Sequence, residues 1–138
     1  MSRLQLAIDV ANLDEAIAFY SKMFSSEPSK VRPGYANFTI EEPPLKLVLF
    51  EDIENGGSIN HLGVEVDDVK MVHEADARMT DEGLTTTGID ETMCCYADKT
   101  ETWIDGPDDI RWEWYVKRGD NEQLENVVVS SEANCCEN

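Results

Sequence analysis

Residues 5–13 read Gln-Leu-Ala-Ile-Asp-Val-Ala-Asn-Leu, and residues 61–69 read His-Leu-Gly-Val-Glu-Val-Asp-Asp-Val. The two stretches align without a gap at an offset of 56 residues. Each alternates apolar and polar side chains and then meets a helix cap, the pattern of a strand that feeds a helix. A repeat on this scale marks a duplicated supersecondary unit.

The helices are legible on both sides of the repeat. Asn12 is a cap and Glu15 completes a capping box. Leu13, Ala16, Ile17, Tyr20, Met23 and Phe24 then form one apolar stripe. Asp68 caps the second helix, whose stripe is Val69, Val72, Ala75 and Met79, and Gly83 is a natural stop. Strand-like runs follow at 35–41 and 45–51 in the first half, and at 85–87, 94–98, 102–105 and 111–116 in the second. Turn signals such as Gly106-Pro107-Asp108 separate them. The expectation is an α+β fold: two tandem βαβββ modules forming a cup-shaped mixed sheet, with the helices packed outside. Module one covers about 1–54 and module two about 58–118, joined near Asn55-Gly56-Gly57, as one domain over 1–118. Residues 119–138 turn polar and acidic and are expected to be a mobile tail that carries a Cys-Cys pair.

Composition bounds the partners. At 138 residues one domain is expected. Lys plus Arg is 11 against 29 Asp plus Glu, a formal charge of −18. That opposes nucleic acid, which needs a basic face, and it opposes an anionic membrane surface. No apolar run approaches the roughly 18 residues of a membrane span. Met1-Ser2-Arg3 leads straight into the first strand, so no leader is expected and the location is read as cytoplasmic.

The four cysteines come as two adjacent pairs, Cys94-Cys95 and Cys135-Cys136. Adjacent cysteines close on each other only with strain, and zinc ribbons space their ligands further apart. An adjacent pair suits one soft centre clamped from two sides, such as trivalent arsenic, cadmium, mercury or copper(I). The bland alternative for Cys94 and Cys95 is two small hydrophobes on a half-buried strand.

Strand parity sorts the polar residues. Leu4, Leu6, Ile8 and Val10 share one face, and Gln5, Ala7 and Asp9 share the other. Leu62, Val64 and Val66 oppose His61, Gly63 and Glu65. Trp112, Trp114 and Val116 oppose Arg111, Glu113 and Tyr115. With the apolar faces on the helices, Gln5, His61 and Glu113 would all point into the cup. Amide oxygen, imidazole nitrogen and carboxylate form a ligand set for a divalent metal. The fourth related place falls to Lys46, and a protonated lysine is no ligand. Three ligands with open positions resemble the facial triad of non-haem Fe(II) oxygenases, which leaves room for O2 or substrate. Each residue has a plainer reading. Gln5 can be solvated, His61 can be a hydrogen-bonded core histidine, and Glu113 can pair with Arg111 or Lys117. His73 reads as a surface or interface residue, not a ligand.

These residues resemble the vicinal oxygen chelate superfamily, which includes glyoxalase I, antibiotic-resistance proteins and extradiol dioxygenases. The resemblance rests on Leu4-Gln-Leu-Ala-Ile-Asp-Val, Phe19-Tyr-Ser-Lys-Met-Phe, His61-Leu-Gly-Val-Glu-Val and Trp112-Glu-Trp-Tyr-Val, and it covers residues 2–118. A narrower likeness, to cadmium-induced proteins and organoarsenical C–As lyases, lies in Lys30-Val-Arg-Pro-Gly-Tyr-Ala-Asn-Phe, Glu42-Pro-Pro-Leu-Lys-Leu-Val-Leu, Cys94-Cys-Tyr-Ala and Cys135-Cys136. It implies Fe(II)-dependent, O2-consuming cleavage of carbon–arsenic bonds in trivalent methyl or aromatic arsenicals, with other divalent metals as alternatives. It further implies Gln5, His61 and Glu113 as metal ligands and Cys94 and Cys95 as the arsenic-binding pair. Cys135 and Cys136 would be auxiliary thiols. Superfamily members also exchange halves between chains, so a homodimer is compatible with the sequence. Two other functions compete. One is a cadmium- or arsenic-sequestering protein without turnover. The other is a glyoxalase-like or antibiotic-resistance metalloenzyme indifferent to Cys94 and Cys95.

Overall fold

The computed structural model describes residues 2–94, 97–120 and 127–128. The chain divides into two compact units, Arg3–Leu62 and the chain from Gly63 on. The first holds β1 (Arg3–Val10), α1 (Leu13–Phe24), β2 (Lys30–Arg32), β3 (Tyr35–Ile40) and β4 (Leu45–Glu51). Its strand order is β2-β3-β4-β1, with β1 parallel to β4 and the other pairs antiparallel. The second holds α2 (Val69–Asp81), β6 (Asp90–Cys94), β7 (Ala97–Asp105), β8 (Arg111–Asp120) and β9 (Val127–Val128). Here the order is β8-β7-β6-β9, antiparallel throughout. With β5 (Ile59–Glu65) running from one unit into the other, the chain order is the expected βαβββ taken twice.

Parity works as the sequence predicts in the first unit. Ala36, Phe38, Ile40, Leu47 and Leu49 form a buried cluster with Leu13, and Leu6, Ile8, Val10, Ala16, Ile17, Tyr20 and Phe24 pack against it. Asn12 Oδ1 accepts from the Glu15 N–H at 2.9 Å, and Glu51 Oε2 accepts from the Leu13 N–H at 2.9 Å. Two of the N–H groups that a helix start leaves without partners are thereby satisfied. Met23 departs from the expected stripe and is 61% exposed. It lies about 80° round the helix from the stripe's centre, on the rim rather than over the sheet.

In the second unit Asp68 caps α2 through the Lys70 N–H at 2.8 Å. Val72, Ala75 and Met79 are the buried side of α2. Val72 joins Val66 and Val116, with Val64, Ile89 and Trp114 packed around them. Gly83 ends the helix at φ +90°, the left-handed conformation that glycine adopts without strain.

Four features differ from the strands read in sequence. The run 85–87 is not a strand; only Thr86 bridges to Ile104 there. Short β2 lies before the turn at Gly34 and completes the first βαβββ. The run 94–98, read as one strand, belongs to two: Cys94 ends β6 and stands opposite Ala97, the first residue of β7. Within the stretch expected as a tail, Val127 and Val128 pair with Met93 and Thr92 of β6.

The start of β5 is tied into the first unit. The Asp9 N–H donates to Ser58 O and the Gly57 N–H to Asp9 O, both at 2.8 Å. Gly56 passes so close to Ala11 that a Cβ there would lie 2.9 Å from its Cβ. In the same connection the Asn55 side chain and the Asn55 and Glu54 backbone N–H groups donate to Asp52 and hold its carboxyl below the usual carboxylate range. The stabilisation from that turn is present above the unfolded pKa of Asp52 and is lost as pH falls through the lower folded value. Among the described residues no helix is long and apolar enough to cross a membrane.

Phe38 is fully buried at the centre of its cluster. Phe38→Ala is expected to destabilise the protein by about 3–5 kcal/mol in urea unfolding, whereas Asn12→Ala, which removes one capping bond, should cost about 1 kcal/mol.

Candidate functional site

In the first unit the polar face of β1 carries Gln5, Ala7 and Asp9, all buried. The parallel register sets Gln5 beside Lys46 and Asp9 beside Phe50. The structure brings Gln5 and His61 together: Gln5 Nε2 donates to His61 Nε2 at 2.8 Å, and both residues are at most 5% exposed. A solvated Gln5 is thereby excluded. The other ring nitrogen of His61, Nδ1, donates to Asn60 Oδ1 at 2.7 Å. Asn60 Nδ2 in turn donates to Asp9 Oδ1 at 3.1 Å. The Phe50 ring lies 6.3 Å from the imidazole and is itself met edge-on by Tyr35. The expected surface position of His73 holds, since it lies on the exposed side of α2.

In the second unit Glu113 lies on β8, opposite Trp103 of β7, and is fully buried. A partner that the sequence reading did not offer is Lys99 of β7. Lys99 Nζ donates to Glu113 Oε2 at 2.7 Å, and the same ammonium sits 4.9 Å from the centre of the Tyr115 ring. Arg111 stacks on Trp103 at 4.3 Å and reaches Asp105 at 4.0 Å. Tyr115 donates its hydroxyl to Glu65 Oε2 at 3.1 Å, and Trp103 Nε1 donates to Glu101 Oε2. A cavity of about 440 Å³ opens beside Trp103 and Arg111, walled by Leu84, Thr85, Thr86 and Thr87.

Lys99 is the residue that sequence reading missed. It fell in the gap left between strands read at 94–98 and 102–105. The continuous β7 gives it the same parity as Glu101 and Trp103, and so the same face as Glu113. Cys94 is at the end of β6. Cys95, Cys135 and Cys136 lie outside the described residues.

The donor chemistry fits a divalent cation. An imidazole with one nitrogen hydrogen-bonded to an oxygen keeps the other available as a ligand, and metal-binding histidines are commonly held this way. Gln5 offers an amide oxygen on rotation of its terminal group. Glu113 is a buried carboxylate that already has a cation, the Lys99 ammonium, at hydrogen-bond distance. Among the described residues no three His, Cys, Asp or Glu side chains cluster as a metal site. The expected ligand set draws one donor from an amide instead.

Comparison with known proteins agrees with this architecture. The family model of the glyoxalase/bleomycin resistance protein/dioxygenase superfamily matches residues 3–114. A trivalent organoarsenical cleaving enzyme of Thermomonospora curvata is 48% identical over 137 residues, covering 99% of this chain and 89% of that protein. The cadmium-induced protein CadI of Mycobacterium tuberculosis is 47% identical over 141 residues, covering 99% and 93%. Among solved structures, the Mn(II)-bound glyoxalase from Novosphingobium aromaticivorans superposes with a TM-score of 0.60 at 18% identity, over 90% of this chain and 43% of that one. At that identity the likeness speaks for the fold alone. The repeated βαβββ order, the family match over most of the chain and the relatives along its whole length give one conclusion: the chain belongs to the glyoxalase/bleomycin resistance protein/dioxygenase superfamily.

Proposed function

We propose that the protein cleaves the carbon–arsenic bond of trivalent methyl or aromatic arsenicals in an Fe(II)-dependent, O2-consuming reaction. The observation that carries this reading is the 48% identity, along 99% of the chain, to a protein named as a trivalent organoarsenical cleaving enzyme. Gln5 and His61 from the first unit and Glu113 from the second are the proposed ligands of one divalent metal. Fe(II) bound there would supply the activation of O2 that the cleavage consumes.

The remaining work falls to the chain's own side chains. A monosubstituted trivalent arsenical has one carbon and two exchangeable oxygen ligands. The Cys94 and Cys95 thiols replace those two ligands, release two waters and leave the carbon–arsenic bond projecting. Fixing that bond in one orientation is a large part of any rate enhancement. The cavity beside Trp103 and Arg111 offers room for an aromatic substituent, and Trp103 stands opposite Glu113 in the strand register. Lys99 compensates the Glu113 carboxylate when no metal is bound. Cys135 and Cys136 serve as auxiliary thiols.

A second reading is sequestration of cadmium or arsenic without turnover, favoured by the likeness to a cadmium-induced protein. One experiment separates the two. The protein is loaded with Fe(II) under anaerobic conditions, given a methyl- or phenyl-arsenical and exposed to O2, and inorganic arsenite is measured. Lyase activity predicts arsenite from the wild type and none from Glu113→Gln or from Cys94→Ser/Cys95→Ser. Stoichiometric arsenical retained through the thiols, with no arsenite formed, would leave sequestration.

The Lys99–Glu113 pair gives a separate test. Lys99→Met leaves a buried carboxylate without its ammonium and is expected to cost about 3–5 kcal/mol in metal-free unfolding. Adding a divalent metal should recover part of that loss by mass action. Urea unfolding with and without Co(II) reads both.

A further inference from the structure

We propose that Asn60, anchored by Asp9, is a positioning residue that holds His61 in its Nδ1–H tautomer and so keeps the Nε2 lone pair turned toward Gln5. The role rests on the metal-binding reading of His61 given above. The relay itself stands on hydrogen-bond geometry within the first unit.

Each link forces the next. Asp9 is fixed by its own main chain, since its N–H donates to Ser58 O and its carbonyl accepts from the Gly57 N–H, both at 2.8 Å. Its carboxylate oxygen can only accept, so the Asn60 group 3.1 Å away must be the NH2. The opposite end of that amide is then the carbonyl oxygen, which also can only accept. It lies 2.7 Å from His61 Nδ1, so Nδ1 must carry the proton. A neutral imidazole carries one N–H, and the lone pair is left on Nε2. The Gln5 NH2 points at that nitrogen from 2.8 Å. A divalent cation needs the same lone pair, and the same Gln5 end group swings to present its oxygen. The carboxylate, the carboxamide and the imidazole therefore form a three-member chain that sets the ligand's orientation before any metal arrives. Supporting residues of this kind change metal affinity by roughly 10–100-fold when removed.

The test uses the full chain and two readouts besides turnover. Nitrogen chemical shifts of the His61 ring, measured by NMR on metal-free protein in mildly alkaline buffer, report the tautomer. Co(II) titration followed by absorption reports the metal affinity. Wild type is expected to show the Nδ1–H form. Asn60→Leu, similar in volume but unable to accept, should lose that preference and weaken Co(II) binding by roughly 10–100-fold. Asp9→Leu keeps Asn60 but removes the group that orients it, and should give a mixture of tautomers. It serves as the readable variant if Asn60→Leu does not fold. In the double variant, Asp9→Leu should add nothing to Asn60→Leu, as expected for residues acting in series. Ring nitrogen shifts that stay at wild-type values in both folded single variants would overturn the relay. A wild-type chain that takes up no Co(II) while the variants still shift the tautomer would overturn the metal reading, and with it the positioning role.

Discussion

Successive side chains of a β-strand leave on opposite faces, and both the core and the candidate site hang on that alternation. In β1 it sends Leu6, Ile8 and Val10 toward the cluster under α1 and leaves Gln5, Ala7 and Asp9 for the other face. Burying the first set stabilises the unit at roughly 25 cal/mol per Å² of apolar surface. The register that maximises this burial also fixes which polar groups line up. A slip by one residue would put Gln5 and Asp9 into the apolar cluster, which is a far larger loss than any single hydrogen bond. The hydrophobic effect thus sets the positions of side chains that it does not itself bind.

The opposite faces carry a load that a core built only for stability would not. Lys46, Asp9, Lys99, Glu101 and Glu113 are all buried. Desolvating such groups costs several kcal/mol each, and an ion pair such as Lys99–Glu113 at 2.7 Å offsets this only in part. Hydrogen bonds such as those from Asn60 to Asp9 and from Trp103 to Glu101 offset more, and the apolar clusters around Phe38 and around Val72 contribute the stability that tolerates the remainder. Stability is generated on the helix side of each unit and offsets the burial of charged groups on the other.

Much of this was legible in sequence because the signals were local and periodic. Asn12 with Glu15, Asp68, and the alternation from Gln5 and from His61 each carry their meaning within a few residues. The parts that escaped depend on partners distant in the chain. Three-residue β2 is too short to show a period, and its pairing with β3 is what makes it a strand. The reversal between Cys94 and Ala97 has no glycine, proline or asparagine to announce it. Missing that reversal hid Lys99, because its face is defined only once β7 is known to run unbroken from Ala97. The Asp9–Asn60–His61 chain was equally invisible. Asn60 is unremarkable beside His61 until β5 is tied back to β1 through Ser58 and Gly57.

The strand ends around the cysteine pair have an evolutionary consequence. Cys94 closes β6 and Ala97 opens β7, with two residues between them in the chain. Hairpin connections tolerate changes of length and composition far better than the strands they join. The connection between these strand ends can therefore drift or lengthen while the pairing of β7 with β8, and with it the setting of Glu113, stays as it is. On the function proposed above, what the protein captures is then the variable part and the place where it acts the heritable one.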